Sequence, residues 1–195
     1  MFSKLICSGC SFTSGYGLTD FKKSWPYLLG KKLNLPVENL ALEGMGNEYI
    51  FNSIIDTDIK DALVVVCLTD YNRVEFIYSE NKKIFTSIPN ARFHQDFLEV
   101  FFKNFYDDYY YFERFERNLK LFETFMKFHN VKYFMFDSWE KNKKIKNPTK
   151  NYLWHGKKTM VDFTYPHKLP DGHPNETAHE IMAEKLYKII LDKIG

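Results

Sequence analysis

The chain has little of what marks several common protein classes. Its 195 residues include only three cysteines, Cys7, Cys10 and Cys67. That odd count fits a reducing compartment better than a disulfide framework. No apolar run approaches the roughly 20 residues needed to cross a bilayer. The formal net charge is only +2, too small to point to nucleic acid or to an acidic membrane surface. Met1 to Lys4 pass at once into an apolar run, with no charged head before a long hydrophobic stretch, so no secretory signal is read. These absences give the expectation of a soluble, cytoplasmic protein with neither a nucleic-acid nor a membrane partner.

The Cys7-x-x-Cys10 spacing is the one redox or metal signal, and it stands alone. A zinc site needs further ligands at matching spacing, and a thioredoxin-like pair usually has more chain before it. Neither a second such pair nor paired histidines is present, so no metal and no cofactor are expected. Internal repeats, low-complexity tracts and linkers are also lacking. One domain spanning 1–195 is the simplest account, somewhat above the commonest size of about 100–150 residues.

Hydrophobic patterning supplies alternating strands and helices. Lys4–Ser8, Val37–Leu42, Ala62–Leu68 and Val131–Phe136 read as strands. The run Leu63-Val64-Val65-Val66-Cys67-Leu68 is continuously apolar, as in a parallel strand covered on both faces. Ser24–Leu33 reads as a helix with Ser24 as N-cap and Pro26 in its first turn, and Asn47–Ile55 as another. Asn175 caps a last helix whose Ile181, Met182, Leu186 and Ile189 are expected to face the sheet. Residues 73–88 alternate as a hairpin turning at Glu80-Asn81-Lys82-Lys83. This order implies a doubly wound parallel α/β sheet, with ligands at the carboxyl ends of its strands.

Aromatic residues make up 18% of the chain, concentrated between Phe93 and Trp139. Over 96–129 the residues Phe97, Val100, Phe101, Phe105, Phe112, Phe115, Leu119, Phe122 and Met126 recur at helical steps. Such a stripe is more often core than a sugar platform. Its exposed part is a candidate contact for a second copy of the chain. Glu140 to Lys150 reads as a solvated, lysine-rich loop.

Two segments at opposite ends carry candidate chemistry. Gly9-Cys10-Ser11-Phe12-Thr13 follows the first strand, and Asp171-Gly172-His173-Pro174-Asn175 precedes the last helix. A serine hydroxyl needs a base within hydrogen-bond reach and a carboxylate to orient that base. Ser11, His173 and Asp171 supply this set. Ser11, Gly44 and Thr69 each follow an expected strand, so the topology brings them to one edge. His155 and His167 read as loop residues, His179 as a surface or capping histidine, and Arg73 with Glu75 as an ion pair at the rim.

In this order the segments resemble the SGNH (GDSL-type) hydrolase family. GCSFTSGYG is similar to its first block, with Cys10 where aspartate is frequent. Asn39-Leu40-Ala41-Leu42-Glu43-Gly44-Met45-Gly46-Asn47 is similar to the second, and Cys67-Leu68-Thr69-Asp70 stands at the third. The resemblance implies a three-layer α/β/α, flavodoxin-like fold and a serine esterase acting through Ser11, His173 and Asp171. It implies an oxyanion hole from the N–H groups of Ser11 and Gly44. The family's asparagine donor is replaced by Thr69, with Asn72 or Asn47 as alternatives. Asp171 lies two residues before His173 where the family spacing is three, which leaves Asp162 and Asp137 as alternative acids. The expected substrate is an ester of a small acyl group, acetyl or another short chain, on a small molecule or a carbohydrate. A non-catalytic ligand- or carbohydrate-binding protein on the same fold is the alternative.

Overall fold

Ala62–Leu68 is buried at every position, as an apolar, β-branched strand must be when helices cover both of its faces. It lies within a four-stranded sheet in the computed structural model, which describes residues 2–78, 83–87, 95–139, 145–146 and 148–194. In chain order the elements are β1 (Lys4–Ser8), α1 (Ser11–Ser14), α2 (Trp25–Leu33), β2 (Val37–Asn39), α3 (Asn47–Ile55) and β3 (Ala62–Leu68). They continue as β4 (Val74–Tyr78), β5 (Lys83–Ser87), α4 (Gln95–Asn104), α5 (Asp108–Phe128), β6 (Lys132–Asp137), α6 (Met160–Thr164) and α7 (Glu176–Ile194).

The sheet order is β2-β1-β3-β6, and every pairing in it is parallel. Side-chain alternation divides the core into two layers. Ile6, Val64, Val66 and Met135 pack with Ile50, Ile54, Phe122 and Met126 of α3 and α5. Leu5, Cys7, Val65 and Phe134 pack with Trp25 and Leu29 of α2, Met160 of α6, and Met182 and Leu186 of α7. The result is the expected three-layer α/β/α architecture. The strand order reverses at β1, so the crevice for a ligand opens at the carboxyl ends of β1 and its neighbours.

Several local expectations are corrected. Strand β2 ends at Asn39 rather than Leu42 because the Asn39 side chain donates to the Thr13 carbonyl at 3.2 Å and accepts the Ala41 N–H at 3.3 Å. The inner face of α7 consists of Met182, Ala183, Leu186 and Ile190, with Ile181 and Ile189 on its flanks. Strands β4 and β5 form the expected antiparallel hairpin, apart from the main sheet; of its expected turn at 80–83, Lys83 lies in β5 and 80–82 lie outside the described residues. The aromatic segment breaks before Asp107, whose carboxylate accepts the Tyr110 N–H at 2.6 Å and caps α5. Phe101, Phe115, Leu119, Phe122 and Met126 are buried as expected, whereas Phe97, Val100 and Phe105 are exposed and α4 buries Leu98 beside Phe101. The lysine-rich loop lies partly outside the described residues, at 140–144 and 147. Among the described residues no helix is long and apolar enough to cross a membrane.

Candidate active site

Strand β1 ends at Ser8, the chain turns through Gly9 and Cys10, and Ser11 opens α1. The first residues of a helix have backbone N–H groups that the helix does not use. Ser11 therefore presents a hydroxyl and an N–H together at the carboxyl end of β1. From the far end of the chain, a tight turn brings His173. The Leu169 N–H donates to the His173 carbonyl at 2.7 Å and the Gly172 N–H to the Leu169 carbonyl at 3.0 Å. Asn175 then caps α7 by accepting the Ala178 N–H at 3.1 Å. This geometry sets His173 Nε2 3.1 Å from Ser11 Oγ.

The other ring nitrogen, Nδ1, lies 3.2 Å from Asp171 Oδ2. The approach is off the line of a hydrogen bond, so the contact is electrostatic. The Asp171 Oδ1 accepts the His173 backbone N–H at 3.0 Å. That donation is the main cause holding the Asp171 carboxyl below the usual carboxylate range, and the imidazole adds to it. The two alternative acids are engaged elsewhere. Asp137 is buried and accepts the Tyr152 hydroxyl, and Asp162 forms a capping box with Thr159.

Aromatic rings surround the imidazole. Phe12 meets it edge-on at 5.5 Å between ring centres and meets Trp139 at 5.0 Å, while Tyr16 lies against it at 4.7 Å. Trp139 follows β6, so the ends of β1 and β6 share one aromatic wall.

Gly44 has φ +74°, and a side chain built there would meet nothing within 4 Å. A left-handed backbone beside open space suits glycine and leaves room for an approaching group. The loop after Gly44 is clamped from the start of β4. Arg73 Nη1 donates to the Met45 carbonyl at 3.2 Å, and the Glu75 carboxylate accepts the Tyr49 N–H at 2.8 Å and the Gly46 N–H. Burial pushes the Glu75 carboxyl above its usual range, and these N–H donors offset part of that. Arg73 and Glu75 therefore hold the loop through separate partners rather than pairing with each other.

At the end of β3, the Asn47 amide donates to the Thr69 carbonyl at 2.9 Å and accepts the Thr69 N–H at 3.0 Å. Asn47 is thus committed to backbone. The Thr69 hydroxyl is sealed from solvent and has no hydrogen-bond partner. Asn72 is half-buried in the turn after β3, and its N–H donates to the Asp70 carboxylate at 3.2 Å.

Cys7, Cys10 and Cys67 are free and fully buried. Burial raises all three thiols, which disfavours the reactive thiolate. Among the described residues no group of three or more His, Cys, Asp and Glu is arranged to hold a metal ion. His179 is buried rather than on the surface, and it caps α2 rather than its own helix. Its Nδ1 accepts the Trp25 N–H at 3.1 Å, while the Ser24 hydroxyl expected in that role makes no hydrogen bond. No sequence signal marks this, since the two residues lie far apart in the chain. His155 packs on Tyr152 at 4.7 Å.

No family model and no curated protein matches the sequence. Solved structures do match. A protein of the G-D-S-L family from Desulfitobacterium hafniense DCB-2 aligns with TM-score 0.58 and 14% identity over 96% of this chain and 99% of its own. The acetyl xylan esterase Est2A from Butyrivibrio proteoclasticus aligns with TM-score 0.61 and 14% identity over 100% of this chain and 65% of its own. The chain thus spans about two thirds of that esterase. A carbohydrate esterase whose active site is described as having divergent catalytic and non-catalytic binding functions aligns with TM-score 0.62 and 14% identity, covering 100% of this chain and 67% of its own. With a parallel sheet in the order β2-β1-β3-β6, a serine after β1 and a histidine before the last helix, the chain has the SGNH (GDSL-type) hydrolase fold.

Proposed function

We propose that the protein is a serine esterase that removes a small acyl group, acetyl or another short chain, through an acyl-enzyme. The observation that carries this reading is the alignment of Ser11 Oγ, 3.1 Å from His173 Nε2, with Asp171 3.2 Å beyond the other ring nitrogen. His173 takes the Ser11 proton as Oγ bonds to the ester carbonyl carbon. The Asp171 carboxylate stabilises the imidazolium that forms. The Ser11 and Gly44 N–H groups receive the oxyanion, joined by a side chain from the segment after β3, where Thr69 and Asn72 are the candidates. As the tetrahedral intermediate collapses, His173 gives its proton to the departing alcohol. Water, activated by the same histidine, then attacks the acyl-serine and regenerates Ser11.

A carbohydrate carrier is supported by the Tyr16 and Trp139 rings beside the serine and by the fold shared with an acetyl xylan esterase. The second reading is a non-catalytic binding protein on the same fold. It is favoured by the half-exposed, off-axis carboxylate of Asp171.

Treatment with a fluorophosphonate followed by intact-mass spectrometry and peptide mapping tests the choice. The expected result is a single adduct on Ser11, absent from Ser11→Ala and strongly slowed in His173→Ala. A folded wild-type protein that takes up no adduct fits only the binding reading.

A further inference from the structure

A guanidinium largely withdrawn from water normally rests against a carboxylate, because removing an unpaired charge from solvent is costly. Arg73 does not follow that rule. Among the described residues it forms no ion pair, and Asp70 is the carboxylate whose charge favours its own. Burial is the main influence on the group and works against its charge. Arg73 uses one N–H on the Met45 carbonyl, and its Nε–H is buried with no hydrogen-bond partner. Its guanidinium carbon lies 4.4 Å from the centre of the Trp139 ring, which holds the plane in place.

The position matters as much as the missing counter-charge. Arg73 follows β3, Met45 follows β2, Cys10 follows β1 and Trp139 follows β6. The guanidinium therefore touches the carboxyl-end loops of all four parallel strands, at the crevice edge where the topology places a ligand. The Cys10 side chain lies close to both the Ser11 hydroxyl and the Arg73 guanidinium. One side chain thus separates a fixed cation from the nucleophile. The Met45 contact also places that cation next to Gly44, whose side faces open space.

We propose that Arg73 is the anion-binding residue of the substrate cleft, and that the ester taken by this site carries a carboxylate close to the scissile bond. This rests on the esterase reading. A planar guanidinium held by stacking matches a carboxylate through its remaining N–H groups with little further ordering. The incoming carboxylate supplies the direct ion-pair partner that Arg73 does not have among the described residues. It also sets specificity, because an uncharged ester leaves the half-buried cation without that partner.

The carboxylate can belong to the acyl part or to the alcohol part, and two ester pairs separate these. The first pair is 4-nitrophenyl hemisuccinate against 4-nitrophenyl butyrate. The second is 4-acetoxybenzoate against its methyl ester. In one pair wild-type kcat/KM should favour the charged ester by about tenfold or more, the usual weight of a charge-assisted hydrogen bond. Arg73→Gln should abolish that ratio and Arg73→Lys should keep part of it. Equal rates within both pairs overturn the proposal, as does a loss in Arg73→Gln that is the same for charged and neutral esters. Should Arg73→Gln fail to fold, the wild-type ratios and Arg73→Lys decide. Should the wild-type hydrolyse no ester and take up no fluorophosphonate, the esterase reading fails separately. Calorimetric titration with succinate and with succinamide then decides. Succinate bound selectively, lost in Arg73→Gln and weakened but kept in Arg73→Lys, sustains the anion site, and no succinate binding removes it.

Discussion

Asp171 holds two nitrogens of His173 at once, accepting the backbone N–H at 3.0 Å and lying 3.2 Å from ring Nδ1. The turn that allows this passes through Gly172 at φ +92°. An L side chain there would be strained, so glycine lets the carboxylate fold back over a two-residue spacing. The shortened spacing therefore does not separate the carboxylate from the imidazole. It does leave the carboxylate half in water, off the hydrogen-bond axis, where its hold on the imidazolium is screened.

Asp171→Asn keeps the acceptor for the His173 N–H but removes the charge. The expected effect is a fall in kcat of about 10- to 1,000-fold, with KM changed far less. Steady-state kinetics on 4-nitrophenyl acetate measure it. An unchanged kcat would reduce Asp171 to shaping the turn.

The third donor of the proposed oxyanion hole can be found by a pair of variants. Thr69→Val removes a hydroxyl that is sealed from solvent and has no partner, so folding should change by less than about 1 kcal/mol. Its activity should also stay close to wild type, because a sealed hydroxyl does not reach a cleft. Asn72→Ala should lower kcat by about 100-fold or more, as loss of an oxyanion donor does. The reverse pattern, a large loss in Thr69→Val alone, would assign the role to Thr69.

The fold was readable because its signals are local and repetitive. An unbroken apolar run such as Leu63–Leu68 can be buried on both faces only inside a parallel sheet, and that strand is found at Ala62–Leu68. That Ser11, His173 and Asp171 come together was readable because each follows or precedes such an element. What stayed hidden depends on contacts between distant residues. Neither the Trp25 N–H on His179 nor the clamp of Arg73 and Glu75 on the Gly44 loop leaves a periodic trace. The exposed face of α4 was misread for a related reason: spacing shows that a stripe exists, not whether another element is there to cover it.

The aromatic wall of Phe12, Tyr16 and Trp139 leads to an acyl-chain test. Rings pack against the imidazole at 4.7 and 5.5 Å, and the proposed small acyl group needs no channel beyond them. In a series of 4-nitrophenyl esters kcat/KM should be highest for acetate or propionate and fall beyond butyrate. A maximum at octanoate or longer would reject the small-acyl reading.

His179 should set a pH dependence of stability unrelated to catalysis. Burial lowers its pKa to about 4, whereas an exposed histidine titrates near 6.5. Between these values the unfolded chain binds a proton that the folded chain refuses. Stability therefore rises with pH across that window and levels off above it. The difference corresponds to about 3 kcal/mol at most. The local chemistry gives the same sign: Nδ1 must keep its lone pair to accept the Trp25 N–H at 3.1 Å, and protonation would set two donors against each other. His179→Asn keeps an acceptor near that position and cannot titrate. Thermal melts between pH 4 and 7 should show a shallower slope for His179→Asn than for wild type. Parallel slopes would mean that His179 is not the group that titrates, whereas convergence of the two proteins toward pH 4 would identify the cap of α2 as the acid-sensitive contact.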